Sequence, residues 1–188
     1  TAIDKGYIAP DYKVWWGYED SYLYEIAKDE LTRLAADEAP FNLTMLTVDT
    51  HNISGYVCPL CDTEKYDDQL AVVLDCADHQ IQHFIDWVKE QDFYEDTAIV
   101  ILGDHPRIDE DLVAGVPLAD RKVYNCFLNS SVTPILPTKD RQLTQLDMFP
   151  TILAAMGYEI EGNRLGLGTN LFSDLPTMVD ILGYDTFN

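Results

Sequence analysis

Thr97-Ala98-Ile99-Val100-Ile101-Leu102-Gly103-Asp104-His105-Pro106 is the stretch that decides the fold. Residues 98–102 are continuously apolar and rich in β-branched side chains, the pattern of a strand covered on both faces, as in a parallel sheet. Gly103 permits an unusual turn or a close approach where the strand stops, and Pro106 keeps the strand from resuming. Asp104 and His105 are therefore expected at the C-terminal edge of a sheet, where open α/β folds bind ligands. A carboxylate oxygen beside an imidazole nitrogen suits a divalent metal. The alternative is a helix-capping Asp next to a surface histidine.

Upstream, residues 1–20 are loop-like and aromatic, with Tyr7, Tyr12, Trp15, Trp16 and Tyr18. Leu23, Ile26, Ala27, Leu31, Leu34 and Ala35 then recur at helical spacing from Asp20 to about Asp37. Residues 41–48 read as a second buried strand ending in Asp49-Thr50-His51, again polar chemistry at a strand's C-terminal end. Residues 52–65 form a loop holding Cys58-Pro-Leu-Cys61. From Tyr66 a long helix is expected, with Leu70, Val73, Leu74, Ala77, Ile81, Phe84, Ile85 and Val88 as its apolar stripe. His79 and His83 are four apart on it, but without an H-E-x-x-H pattern they read as a solvated face.

Downstream, residues 107–119 are a polar loop and residues 123–128 a third strand. Residues 129–141 form a loop with Pro134 and Pro137. Thr144 and Asp147 have capping-box spacing, ahead of a helix over 149–156 that Gly157 closes. The glycines of Leu165-Gly166-Leu167-Gly168 do not follow a strand and open a helix, which argues against a dinucleotide loop. Strands alternating with helices of crossover length predict a single α/β domain over 1–188, its sheet mostly parallel and flanked by helices.

The 33 acidic residues against 12 Lys and Arg leave a formal charge of −21. Such a chain repels nucleic acid and anionic membrane surfaces and is compatible with a cation-dependent site. No apolar run reaches membrane-spanning length, and no signal-peptide pattern is expected among these residues. The chain starts at Thr1 without Met, so a fragment or processed product is expected. Of its four cysteines, Cys58, Cys61 and Cys76 are the candidates for a structural disulfide; reduced thiols, zinc and redox chemistry are the alternatives.

Several pieces coincide in order: Trp16-Gly17 with Asp20; Thr47-Val48-Asp49-Thr50-His51; the long helix with Asp78; Asp92 to Asp96; Ile101-Leu102-Gly103-Asp104-His105; and Asp147-Met148-Phe149-Pro150-Thr151-Ile152-Leu153. Together they resemble the C-terminal part of the sulfatase-like catalytic domain of the alkaline phosphatase superfamily, over nearly the whole chain. The likeness is greatest to phosphoglycerol transferases of the MdoB type and lipoteichoic acid synthases, as in Gly55-Tyr56 with the cysteines after it and the Leu165–Gly168 tail.

That resemblance implies a partial alkaline phosphatase/sulfatase-like fold in a bacterial enzyme anchored by N-terminal membrane helices, its catalytic domain extracellular or periplasmic. A threonine nucleophile takes glycerol phosphate from a phosphatidylglycerol-type lipid and passes it to a glycan or polymer acceptor. Mn or Mg assists. By the same resemblance Asp104 and His105 are metal ligands, His51 is catalytic and contacts the phosphoglycerol group, and Trp16 lies on the substrate side. The nucleophile and an acidic ligand belong to segments upstream of the matched region. The chain alone is thus expected to carry half an active site and not to turn over, and an exposed sheet edge would favour association with a partner or a second copy. Rival readings are a sulfatase or phosphoethanolamine transferase of the same superfamily, and a non-catalytic envelope binding module. Arg107 and Arg164, scarce cations here, are either phosphate contacts or surface partners of the many acids.

Overall fold

The computed structural model describes residues 1–14, 16–37, 39–107, 112–117, 120–139 and 141–187. Trp15 and part of the polar loop after Pro106 lie outside the described residues. The chain divides into two compact units, Thr1–Asp92 with His105–Lys122, and Phe93–Asp104 with Val123–Asn188.

The first unit is built on two helices, α1 (Asp20–Ala35) and α2 (Gln69–Lys89). Tyr24, Ala27 and Leu31 form the buried stripe of α1. Leu70, Val73, Cys76, Gln80 and Val88 lie on the buried side of α2. Tyr24 meets Phe84 with ring centroids 5.0 Å apart. The second helix starts three residues later than the expected Tyr66 because Asp68 caps it, accepting the Ala71 N–H at 3.0 Å. His79 and His83 lie on its exposed face, as expected.

In the second unit β1 (Ile99–Leu102) pairs with β2 (Asn125–Leu128). Helix α3 (Met148–Ala155) follows, then the short hairpin of β3 (Arg164–Leu165) and β4 (Gly168–Thr169). Two short terminal helices, α4 (Met178–Leu182) and α5 (Tyr184–Phe187), end the chain. Its core is Ala154, Ala155 and Phe172, with Ala98, Phe127 and Ile160 against them. Phe127 and Phe172 meet edge to face, centroids 5.7 Å apart. The capping box at Thr144 and Asp147 forms as its spacing predicts.

Helices and small sheets make a partial α/β fold, but two expectations about the sheet change. Both ladders among the described residues are antiparallel, not parallel. Gly103 donates to the Tyr124 carbonyl at 2.8 Å, so the returning chain is already bound beside the strand it left. Residues 41–48 form no ladder among the described residues. The N–H groups at the end of that segment go to a side chain instead: Asp20 Oδ1 accepts Val48 N at 2.7 Å and Asp49 N at 3.3 Å. No helix among the described residues is long and apolar enough to cross a membrane.

Candidate functional site

The turn after residue 48 is folded tightly. His51 N donates to the Val48 carbonyl at 2.9 Å, and Tyr56 N to the Asp49 carbonyl at 2.7 Å. Gly55 has φ +70°, and a Cβ there would meet Val73 Cγ1 at 2.7 Å and the Asp49 carbonyl at 2.8 Å. Only glycine lets this turn lie directly on α2.

The turn presents His51 to solvent. Its Nδ1 lies 2.8 Å from the Asn52 carbonyl. A proton on Nδ1 answers that carbonyl, which leaves Nε2 facing outward to accept a proton or, once protonated, to donate to an anion. Trp16, 68% exposed, stands beside it with ring centroids 4.8 Å apart and planes at 43°. Val14, Trp16, Asn52 and Ile53 line an open recess of about 550 Å³. An exposed indole against an exposed imidazole gives a flat apolar wall next to a hydrogen-bonding group.

His105 is exposed, and its Nδ1 lies 3.0 Å from the Pro106 carbonyl. Two residues on, the Arg107 guanidinium donates to the Thr50 carbonyl at 3.3 Å, tying the start of this segment to the peptide that precedes His51. Arg107 is thus engaged with backbone beside the candidate site. Asp104 is exposed at the turn that follows β1. A hard oxygen and an imidazole nitrogen are the donor chemistry a divalent cation takes. Asp104 and His105 belong to no group of three or more His, Cys, Asp or Glu donors among the described residues.

Behind the turn lies a layer of acids: the sequence reading marked Asp20 and Asp49 but neither their burial nor Glu19 beside them. Glu19, Asp20 and Asp49 are all buried. Glu19 is held by Tyr12, whose hydroxyl donates to Oε2 at 3.0 Å. Neither carboxylate oxygen of Asp49 meets a donor in good geometry. Loss of water pushes its carboxyl up from 3.8 to about 7, and the negative charge of Asp20 adds to the rise. Burial also raises Asp20, partly offset by the two backbone N–H groups it accepts. Tyr56 is pushed up to about 12 by burial and by its bond to Glu19. No periodicity marks these acids; the available signal was Trp16-Gly17-Tyr18-Glu19-Asp20 standing before a helix.

Cys58, Cys61 and Cys76, expected as disulfide partners, do come together, and all four cysteines of the chain are unbridged. Arg164 donates to the Pro176 carbonyl at 2.6 Å, a backbone tie inside its own unit.

The Sulfatase family model matches residues 2–158. A phosphoglycerol transferase I of Xanthomonas campestris pv. campestris is 28% identical over 184 residues, covering 95% of this chain and 26% of that protein. That of Xanthomonas axonopodis pv. citri is 30% identical over 179 residues, covering 92% and 25%. One from Escherichia coli is 28% identical over 169 residues, covering 87% and 22%. The chain thus spans about a quarter of the length of these relatives. A crystal structure of a Vibrio parahaemolyticus protein in the alkaline phosphatase superfamily superposes with a TM-score of 0.69 at 23% identity, covering 91% of this chain and 41% of that one.

Proposed function

This chain belongs to the sulfatase family, and on that premise we propose that it carries the substrate side of a phosphoglycerol transferase of the bacterial cell envelope. The reaction is transfer of phosphoglycerol from a phosphatidylglycerol-type headgroup to a glycan or polymer acceptor, outside the cytoplasmic membrane. The names of its relatives support the reaction class. The observation that carries the reading is the contact of His51 with Trp16, a residue that also lines an open recess.

In this reading the glyceryl carbons lie against the Trp16 ring while His51 Nε2 addresses a non-bridging phosphate oxygen or the departing alkoxide. The Asn52 carbonyl fixes the ring so that it is Nε2 that is offered. Asp104 and His105 would hold Mn or Mg, which supplies charge neutralisation on the phosphate when bound. The Arg107 tie to the Thr50 carbonyl keeps the His105 segment in step with the His51 turn.

Titration of the chain with glycerol phosphate in the presence of Mn, followed by calorimetry, tests this. His51→Gln and Trp16→Ala should each weaken binding about tenfold, the loss of one charge-assisted hydrogen bond or one buried aromatic contact. Equal binding by wild type and both variants, or equal binding of inorganic sulfate in place of glycerol phosphate, would overturn it.

A further inference from the structure

We propose that Cys58, Cys61 and Cys76 form a structural zinc site, closed in its fourth position by the Gln80 side chain. It is independent of the transferase reading. Cys58 Sγ lies 3.7 Å from Cys76 Sγ and 3.7 Å from Cys61 Sγ, and the three sulfurs fall within 4.8 Å of one another. A tetrahedral zinc with sulfurs at about 2.3 Å has sulfur–sulfur edges of about 3.8 Å. A bridge between two cysteines needs about 2.05 Å and leaves a third thiol stranded. Two sulfur–sulfur edges at tetrahedral spacing, with the third pair within 4.8 Å, are what a single soft cation gathers.

The second observation is Gln80, one turn beyond Cys76 on α2 and only 9% exposed. Its amide nitrogen sits 3.5 Å from Cys76 Sγ and 3.9 Å from Cys58 Sγ. Its oxygen is buried and meets no donor. A half-turn of the amide, which changes no volume, aims that oxygen at the sulfurs and ends its isolation. The set is then three thiolates and one neutral oxygen, which with a divalent ion leave a net charge of −1.

Cys58 and Cys61 lie on the loop that continues from the His51 turn, and Cys76 lies on α2. A zinc there would staple that loop to the helix, and so fix the turn that Gly55 lays on Val73. Binding releases thiol protons as the metal forms its bonds to sulfur; no electron transfer is involved.

Reduced protein loaded with Co in place of zinc gives the direct readout. One equivalent should produce thiolate-to-metal charge transfer and the intense visible bands of a tetrahedral site, both displaced by zinc. Cys76→Ser should abolish them, Cys126→Ser should leave them, and Gln80→Ala should weaken affinity about tenfold or more. Should Cys76→Ser misfold, the wild type decides. Zinc content near one per chain, with three thiols alkylated only after chelation, supports the site. Overturning results are a disulfide among the three that forms in the presence of zinc, absence of the cobalt bands, or bands that persist in Cys76→Ser.

Discussion

Asp20 Oδ1 accepts the backbone N–H of Val48 at 2.7 Å and that of Asp49 at 3.3 Å, so the first residue of α1 ties down the end of the segment over 41–48. Asp20 is 1% exposed, and water cannot replace it. Asp20→Ala should therefore leave two backbone donors stranded and cost about 2–4 kcal/mol. In a chain of this size that is a fall in Tm of roughly 4–16 °C, read by thermal denaturation. Asp20→Asn keeps the acceptor and should lose much less.

The same pair sets a pH dependence. The Asp49 carboxyl is raised from 3.8 to about 7 by burial first and by the Asp20 charge second. Below its ordinary range Asp49 is protonated in both folded and unfolded chains. As pH rises, the unfolded chain ionises first, so the folded state holds the extra proton. Stability falls from about pH 4 to about pH 7 and then levels. Asp49→Asn removes that fall. Between about pH 4 and pH 8 the variant should gain on wild type by about 2 kcal/mol, after allowance for partial solvent screening of the site. Denaturant melts at the two pH values measure it, and a gain that does not change with pH would show that the native carboxylate is already ionised at acid pH. Asp20→Asn should also lower the Asp49 titration, visible in its carboxyl carbon shift.

The helices were legible because their apolar residues recur on one face, as with Ala27 and Leu31 or Leu70, Val73 and Val88. The antiparallel direction of β2 was not, because an apolar run such as Val123 to Leu128 carries no sign of which way its neighbour points. The segment over 41–48 looked like a buried strand for the same reason, yet none of its residues is buried and its end is held by Asp20, far away in sequence. His51 was legible as polar chemistry after an apolar run, whereas its contact with Trp16 joins positions 35 residues apart by number alone. The gathering of Cys76 onto the C-x-x-C loop required the three-dimensional placement of α2.

Arg141 makes a different kind of prediction, because its charge serves the backbone. Its guanidinium donates to the carbonyls of Leu171, Ser173 and Leu175, the Ser173 bond being 3.0 Å. A planar fork serves these three acceptors from two separate nitrogens, whereas an ammonium has to reach all of them from one. Arg141→Lys should lose about 1–2 kcal/mol and raise amide exchange through residues 171–175. Binding of glycerol phosphate should be unchanged, since the side chain is already committed within its unit. Weaker ligand binding without loss of stability would assign Arg141 to the site instead.

Gly168 tests how the tail is packed. A Cβ on it would lie 2.0 Å from the Leu146 carbonyl oxygen and 3.1 Å from Pro150 Cδ. The next residue, Thr169, donates its N–H to Asp147 Oδ1 at 2.7 Å, and Asp147 Oδ2 accepts the N–H of Thr144 at 2.7 Å. Asp147 thus joins the start of α3 to β4 with both of its oxygens, and the 1%-exposed carboxylate has no room to follow a displaced strand. Gly168→Ala must move backbone and not a flexible side-chain tip, so it should cost about 3 kcal/mol or more, at or beyond the upper end for overpacking. Asp147→Asn retains one acceptor and should cost less. Combined, the two changes should be clearly less than additive, because a strand already pushed off Asp147 no longer has that bond to lose. Thermal denaturation of the two single variants and the double variant measures the coupling, and strict additivity would show that Gly168 and Asp147 act on separate parts of the fold.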